Sequence, residues 1–231
     1  MRLAMLDFDI TLSKDYSMNL FSNFLYENKR MMNLHVQRQA ILEKYFSKQM
    51  SFDEMSEQLP YLWASSLKDT SVKGLEVLAS EFFPILKKEI HDSSYELINL
   101  LKANGYYTVI ISAAAYEIIS LAGQDLGVHE TRAMKIGSSY GFYSGRFENN
   151  ISLPGGKKKE AMPLLRTYGV KGSFSFGDSK QDLGMMEPVE HAIALNPNKE
   201  LIDIANEKNW PIMTYENVVP EVEKILKAKT I

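Results

Sequence analysis

The sequence predicts an α/β protein: a mainly parallel sheet flanked by helices, with a block of helices inserted after the first strand. Three observations predict it. From about Ile90 onward, short β-rich runs alternate with helical segments at the spacing of βαβ units. Chain breakers are unevenly spread, Gly74 being the first glycine and Pro60 the single proline before it. The stretch they leave uninterrupted, about Ser13 to Ile90, is rich in Leu, Glu, Lys, Gln and Met, which favour helix. A chain of 231 residues suits one medium domain with an insertion. We divide it into a core of residues 1–12 and 86–231 and a helical insertion of residues 13–85.

The elements follow in order. Arg2–Leu6 reads as the first strand. In the insertion, Leu20, Phe21, Phe24 and Leu25 recur at helical spacing, as do Ala40, Ile41, Lys44 and Tyr45. Ser51 followed by Asp53 and Glu54 marks a helix start, and three to five helices are expected. Ser93 to Ala103 reads as a helix stopped by Asn104-Gly105. Tyr106–Ile111 is a strand, and Tyr116–Leu126 a helix closed by Gly127. Tyr140–Phe147, alternating glycine with aromatics, suggests a hairpin. Glu160–Tyr168 is a helix in which Pro163 fits near the first turn. Ser173–Phe176 is a strand, Lys180–Met186 a short helix, His191–Leu195 a strand and Lys199–Lys208 a helix. Pro211–Thr214 is an edge strand, and Val218–Lys227 the last helix.

Composition excludes several classes. Apolar residues make up 45% and charged residues 24%, which is globular rather than disordered. A net charge of −3 offers no basic face for nucleic acid. Without cysteine there is no disulfide, thiolate nucleophile or iron–sulfur centre. Asp7 and Asp9 interrupt the apolar start, so no secretory signal is expected, and no run approaches a membrane span. The expectation is a soluble, cytoplasmic protein, monomeric or homodimeric. The four histidines (His35, His91, His129 and His191) are scattered without ligand spacing.

Ligands of parallel sheets bind beyond the carboxyl ends of the strands. The first strand ends in Asp7-Phe8-Asp9-Ile10-Thr11. In extended chain Asp7 and Asp9 point the same way, and paired carboxylates call for a cation; an Asx turn is the plain alternative. The second strand ends in Ser112-Ala113-Ala114-Ala115, which suits an anion or simply an N-cap. Gly155-Gly156-Lys157-Lys158-Lys159 precedes a helix and reads as a phosphate-neutralising lysine or a solvated patch. A later strand ends in Gly177-Asp178-Ser179-Lys180-Gln181-Asp182. Asp178 and Asp182, one helical turn apart, both face the mouth, or else are a cap and an exposed acid.

These motifs, in this order, resemble those of the haloacid dehalogenase-like superfamily, in its phosphoserine-phosphatase-like branch. The resemblance implies a Rossmann-like core with an inserted helical cap of the C1 type. It also implies a magnesium-dependent phosphatase acting on a small phosphorylated metabolite, with no nucleic-acid or membrane partner. By that resemblance Asp7 is the nucleophile and forms an aspartyl-phosphate. Asp9 is the general acid and base. Magnesium takes Asp7, Asp178 and the Asp9 backbone carbonyl. Ser112, Ala113 and Lys157 hold the phosphate, and Asp182 orients Lys157 or a metal-bound water. Lys157 is chosen over its two neighbours by its distance from Gly169. Thr11 shapes the turn.

The insertion departs from that branch. Where a glutamate and an arginine would bind the amino acid, offset from the first motif places Tyr16, and matching Met50-Ser51-Phe52 to the cap segment places Leu59, which argues against phosphoserine. Ile10 is bulkier than the usual residue. The Met- and aromatic-rich stretch (Met18, Met31, Phe21, Phe24, Trp63) reads mostly as the insertion's own core, and Lys29, Arg30 and Arg38 as a solvated face. Alternative readings are a phosphoacceptor signalling module, a phosphomutase or a dehalogenase. The acid at Asp9 disfavours a dehalogenase, whose halide needs no proton. The insertion disfavours a signalling module.

Overall fold

Strand β1, Arg2–Leu6, is apolar on both faces and is buried from Leu3 onward, as a central parallel strand should be. It begins a computed structural model that describes residues 1–228 and only the backbone of residue 53. The Asp53 side chain and residues 229–231 therefore lie outside the described part. Four helices follow β1: α1 (Ser17–Glu27), α2 (Met32–Phe46), α3 (Phe52–Ser66) and α4 (Val72–Glu89). Next come α5 (Asp92–Ala103), β2 (Tyr106–Ala115), α6 (Tyr116–Leu126), β3 (Glu130–Ser139) and β4 (Phe142–Asn149). Then come α7 (Gly156–Tyr168), β5 (Phe174–Gly177), and a 3₁₀ turn at Lys180–Asp182 running into α8 (Leu183–Met186). The chain continues through β6 (His191–Leu195), α9 (Lys199–Lys208), β7 (Ile212–Met213) and α10 (Val218–Ala228).

The seven strands form one sheet in the order β4-β3-β2-β1-β5-β6-β7, parallel except for β4. Alternation along β1 sends Leu3 and Met5 to one face, with Ala161, Leu164 and Met185, and Ala4 and Leu6 to the other. The second face has no boundary with the insertion. Phe21, Trp63 and Phe82 belong to the same apolar cluster as Ala4 and Leu6, with Phe21 and Phe82 ring centres 4.9 Å apart. The expected separate core of the insertion is thus a continuation of the sheet's core.

Local signals explain the inserted helices. Ser51 and Glu54 form a capping box, the Glu54 N–H donating to Ser51 Oγ at 3.2 Å and the Ser51 N–H to Glu54 Oε2 at 2.8 Å. The two crossings of the chain between sheet and insertion run side by side. The Lys14 N–H donates to the Glu89 carbonyl at 2.8 Å, and the His91 N–H to Leu12 at 3.2 Å. A second tie joins the α3–α4 turn to the β3–β4 hairpin: the Val72 N–H donates to Gly141 and the Tyr143 N–H to Thr70.

Three expectations need correction. Strand β2 runs through Ser112 to Ala115, with a bulge between Ser112 and Ala115, because pairing with β3 carries it past the alanines. Helix α7 begins at Gly156, so Lys157 sits in its first turn and Pro163 in its interior. Arg38 is buried, unlike Lys29 and Arg30, because four residues after the buried Leu34 it shares that inward face of α2. The hairpin exists with Tyr140-Gly141 at its tip, but its first strand, Glu130–Ser139, was too polar to stand out.

Candidate active site

Register assembles the site. Leu6 pairs with Ile110 of β2 and with Phe176 of β5. The residues that follow, Asp7, Ser112 and Asp178, therefore emerge together at the carboxyl edge of the sheet. The Asp7 N–H still donates to the Phe176 carbonyl at 3.0 Å, so its backbone is set by the ladder.

Asp7, Asp178 and Asp182 are all buried, and one oxygen of each lies within 4.8 Å of the others. Lys157 Nζ donates to Asp7 Oδ1 at 2.5 Å and to Asp182 Oδ1 at 2.5 Å. The other Asp182 oxygen accepts the N–H groups of Asp178 and Ser179, each at 3.0 Å. Asp182 is thus fully buried and fastened, not the exposed acid of the plain reading. Two glycines make this possible. A Cβ on Gly177 would lie 2.5 Å from Asp182 Cβ, so only glycine lets Asp182 fold back over β5. A Cβ on Gly156 would lie 2.3 Å from the Ile151 carbonyl oxygen, so only glycine lets α7 start there and aim Lys157 inward.

Asp9 stands apart from this trio. The chain turns after Leu6, with Ile10 in the left-handed region at φ 64°. Asp9 Oδ1 accepts the Ser17 N–H at 2.9 Å, tying the site to the first turn of α1. Thr11 Oγ1 lies 3.4 Å from Asp7 Oδ2 and 3.5 Å from Asp178 Oδ1, bridging two acids as well as shaping the turn. The Tyr215 hydroxyl reaches the carbonyls of Ile10 and Ser13 and donates its one proton to either. No local pattern pointed to Tyr215, which arrives from the loop after β7.

Ser112 is buried, and its Oγ accepts the Ala114 N–H at 3.1 Å, a local turn bond. Ala113 and Lys157 line a cavity of about 370 Å³ that Ser56 and Glu57 line from the insertion side. Lys158, read together with Lys157, also reaches this cavity. Tyr16 is half exposed, and the burial of its hydroxyl, helped by the charges of Asp178, Asp9 and Asp7, raises its pKa.

Burial is the largest influence on Asp7, Asp9 and Asp178. It raises Asp7, helped by the charges of Asp182 and Asp9 and opposed by Lys157. It raises Asp178, helped by Asp182 and Asp7. Asp9 is pushed up to about 6 by burial, against the Ser17 hydrogen bond. Burial pushes Lys157 down, but Asp182 and Asp7 outweigh it, so its pKa is raised and it stays cationic. Three carboxylates facing one ammonium leave an excess of two negative charges if all ionise. Oxygen donors in that balance suit a hard divalent cation.

Residues 4–187 match the haloacid dehalogenase-like hydrolase family. An inhibition of morphological differentiation protein of Streptomyces azureus is 26% identical over 228 residues, 96% of this chain and 81% of that protein. A phosphoserine phosphatase of Mycobacterium tuberculosis is 27% identical over 152 residues, 64% of this chain. The chain spans about half the length of that relative, 49% of it. A Bordetella pertussis protein of unknown function superposes with a TM-score of 0.79 at 22% identity, covering 93% of this chain and 98% of its own. A phospho-aspartyl intermediate analogue of phosphoserine phosphatase superposes with a TM-score of 0.66 at 18% identity, over 97% and 98% of the two chains. No helix among the described residues is long and apolar enough to cross a membrane. With its central sheet, its strand-end acids and a family match over well more than half its length, the chain belongs to the haloacid dehalogenase-like hydrolases.

Proposed function

We propose that the chain is a magnesium-dependent phosphatase that hydrolyses a small phosphate monoester through an aspartyl-phosphate on Asp7. The observation that carries this reading is the buried Asp7 carboxylate, held by Lys157 on one oxygen and facing Asp178 on the other side. The names of the relatives, phosphatases among them, support it. Residues 1–12 and 86–231 form the catalytic core in this reading, and residues 13–85 the cap.

Asp7 supplies the nucleophile: a carboxylate oxygen forms a bond to phosphorus as the bond to the leaving alcohol breaks. Asp9, raised to about 6, lies close enough to neutral pH to give a proton to the leaving oxygen and to take one back. Once ionised, Asp9 takes a proton from water, whose oxygen attacks phosphorus and frees Asp7. Lys157 balances charge on Asp7 and the phosphoryl oxygens, and Asp182 keeps Lys157 aimed. Ser112 and the Ala113 N–H hold phosphoryl oxygens, which requires Ser112 Oγ to point its proton toward the ligand. Asp7 and Asp178 with the Asp9 carbonyl would hold the magnesium ion, and Asp182 stays with Lys157. Bound there, magnesium supplies positive charge that lets both buried acids ionise beside an anionic substrate.

The test is release of p-nitrophenol from p-nitrophenyl phosphate with magnesium and with chelator. Turnover is expected only with the metal, and Asp7→Asn should abolish it. Wild-type turnover by Asp7→Asn would remove the nucleophile from Asp7.

A further inference from the structure

A second, smaller cavity of about 90 Å³ lies between α1, α2 and α3 and reaches Ala113, the residue that also lines the larger cavity beside Lys157. Its walls are mostly apolar, with Leu34, Leu59, Pro60 and Leu62 among them. Arg38 also lines it. Its buried guanidinium donates to the neutral amide oxygen of Asn19 and pairs with no carboxylate among the described residues. Two further lining side chains are buried with polar atoms that find no partner, Trp63 Nε1 and Ser22 Oγ.

Buried polar groups are almost always satisfied, and a buried cation is almost always paired. Here a guanidinium, an indole N–H and a hydroxyl gather at one small cavity, and none has an anionic partner among the described residues. No Asp or Glu among the described residues lines it, so an ammonium group would find no counter-charge there. The cavity has room for a carboxylate. A planar carboxylate also matches the guanidinium fork.

We propose that this cavity binds a carboxylate of the leaving group, so that the substrate is a phosphorylated hydroxy acid without an amine beside the carboxylate, with Arg38 as the specificity-determining residue. This rests on the phosphatase reading for its place beside Ala113. Leu59 stands where the resemblance expects an arginine and lines the same cavity, which Arg38 enters from the neighbouring helix α2.

Two measurements test it. The first compares kcat/KM for 3-phosphooxypropanoate, its amide and its 2-amino counterpart. The carboxylate ester should be preferred over the amide by about 10- to 100-fold, as for one charge-assisted bond. The amino compound should be poorer than the carboxylate ester. In Arg38→Met, an apolar replacement that a buried site tolerates, the preference should fall to near one, and Arg38→Lys should restore part of it. The second needs no turnover. The chain has two tryptophans, so the Trp63 indole N–H signal is identified by Trp63→Phe in a ¹⁵N–¹H spectrum. A phosphonocarboxylate should shift that signal to saturation in wild type and not in Arg38→Met, and the phosphono-amide should leave it in place. Equal kcat/KM for acid and amide, a preference that survives Arg38→Met, or an unmoved indole signal would each overturn the proposal. If no ester is turned over at all, the phosphatase reading fails, and the indole titration alone decides the carboxylate site.

Discussion

Replacing Lys157 with methionine removes the one cation that Asp7 and Asp182 share, each at 2.5 Å. Lys157 and both acids are buried, so water cannot stand in for it. Breaking a buried pair by removing one partner costs about 3–5 kcal/mol. Domains of this kind have about 5–15 kcal/mol in all, so the loss should show as a large fall in the urea midpoint. The pH dependence follows from the acids left behind. A carboxylate whose folded pKa is raised contributes stability that is present below its unfolded pKa, 3.8 for Asp7, and lost as pH rises through the folded value. Without Lys157 that folded value rises further, so the Lys157→Met deficit should be larger at about pH 8 than at about pH 5. Magnesium binds only the folded site and should return about 2.7 kcal/mol at a hundred times its Kd. Urea titrations of both proteins in chelator and in magnesium, at both pH values, measure this. A deficit under about 1 kcal/mol at the higher pH in chelator would refute the reasoning, because a buried pair cannot be removed so cheaply.

Asp9→Asn should lower kcat by about 10²–10⁴. It should also stabilise the metal-free protein at neutral pH by about 1–2 kcal/mol, less than the full shift because Asp9 is partly exposed. The sign follows from a folded pKa of about 6 against 3.8 unfolded: wild type loses stability as pH rises between those values, and the variant does not. Gly177→Ala should cost about 1–3 kcal/mol by overpacking and weaken magnesium binding in calorimetry, because its Cβ would meet Asp182 at 2.5 Å. Tyr215→Phe should cost about 1 kcal/mol and lower kcat more than it raises KM, because it frees the turn that carries Asp9 and Ile10.

The parts of this account visible in the sequence are those fixed by short-range rules. Asp7 and Asp178 each follow an apolar run by one or two residues, so a parallel sheet had to bring them to one edge. The insertion announced itself by its lack of breakers, and the Gly127 and Gly169 stops by glycine after a helical pattern. Long-range partners stayed hidden. Tyr215 reaches Ile10 across some two hundred residues, and nothing near either residue encodes it. Arg38 read as a surface charge because charged residues on polar helices usually are, although its spacing from Leu34 was a usable signal. The β2 bulge and the polar β3 depend on each other's hydrogen bonds, which composition does not register. The resemblance has Asp182 orienting Lys157 or a metal-bound water, but the room that Gly177 leaves for it is a contact across the turn that spacing does not encode.

The central claim is that Asp7 carries the phosphoryl group between substrate and water. The most direct measurement is rapid acid quenching during turnover of p-nitrophenyl phosphate with magnesium, followed by peptide mass spectrometry. One phosphoryl group is expected on the peptide containing Asp7, lost on treatment with hydroxylamine and absent in Asp7→Asn. Steady phosphate release with the label on another residue would contradict it.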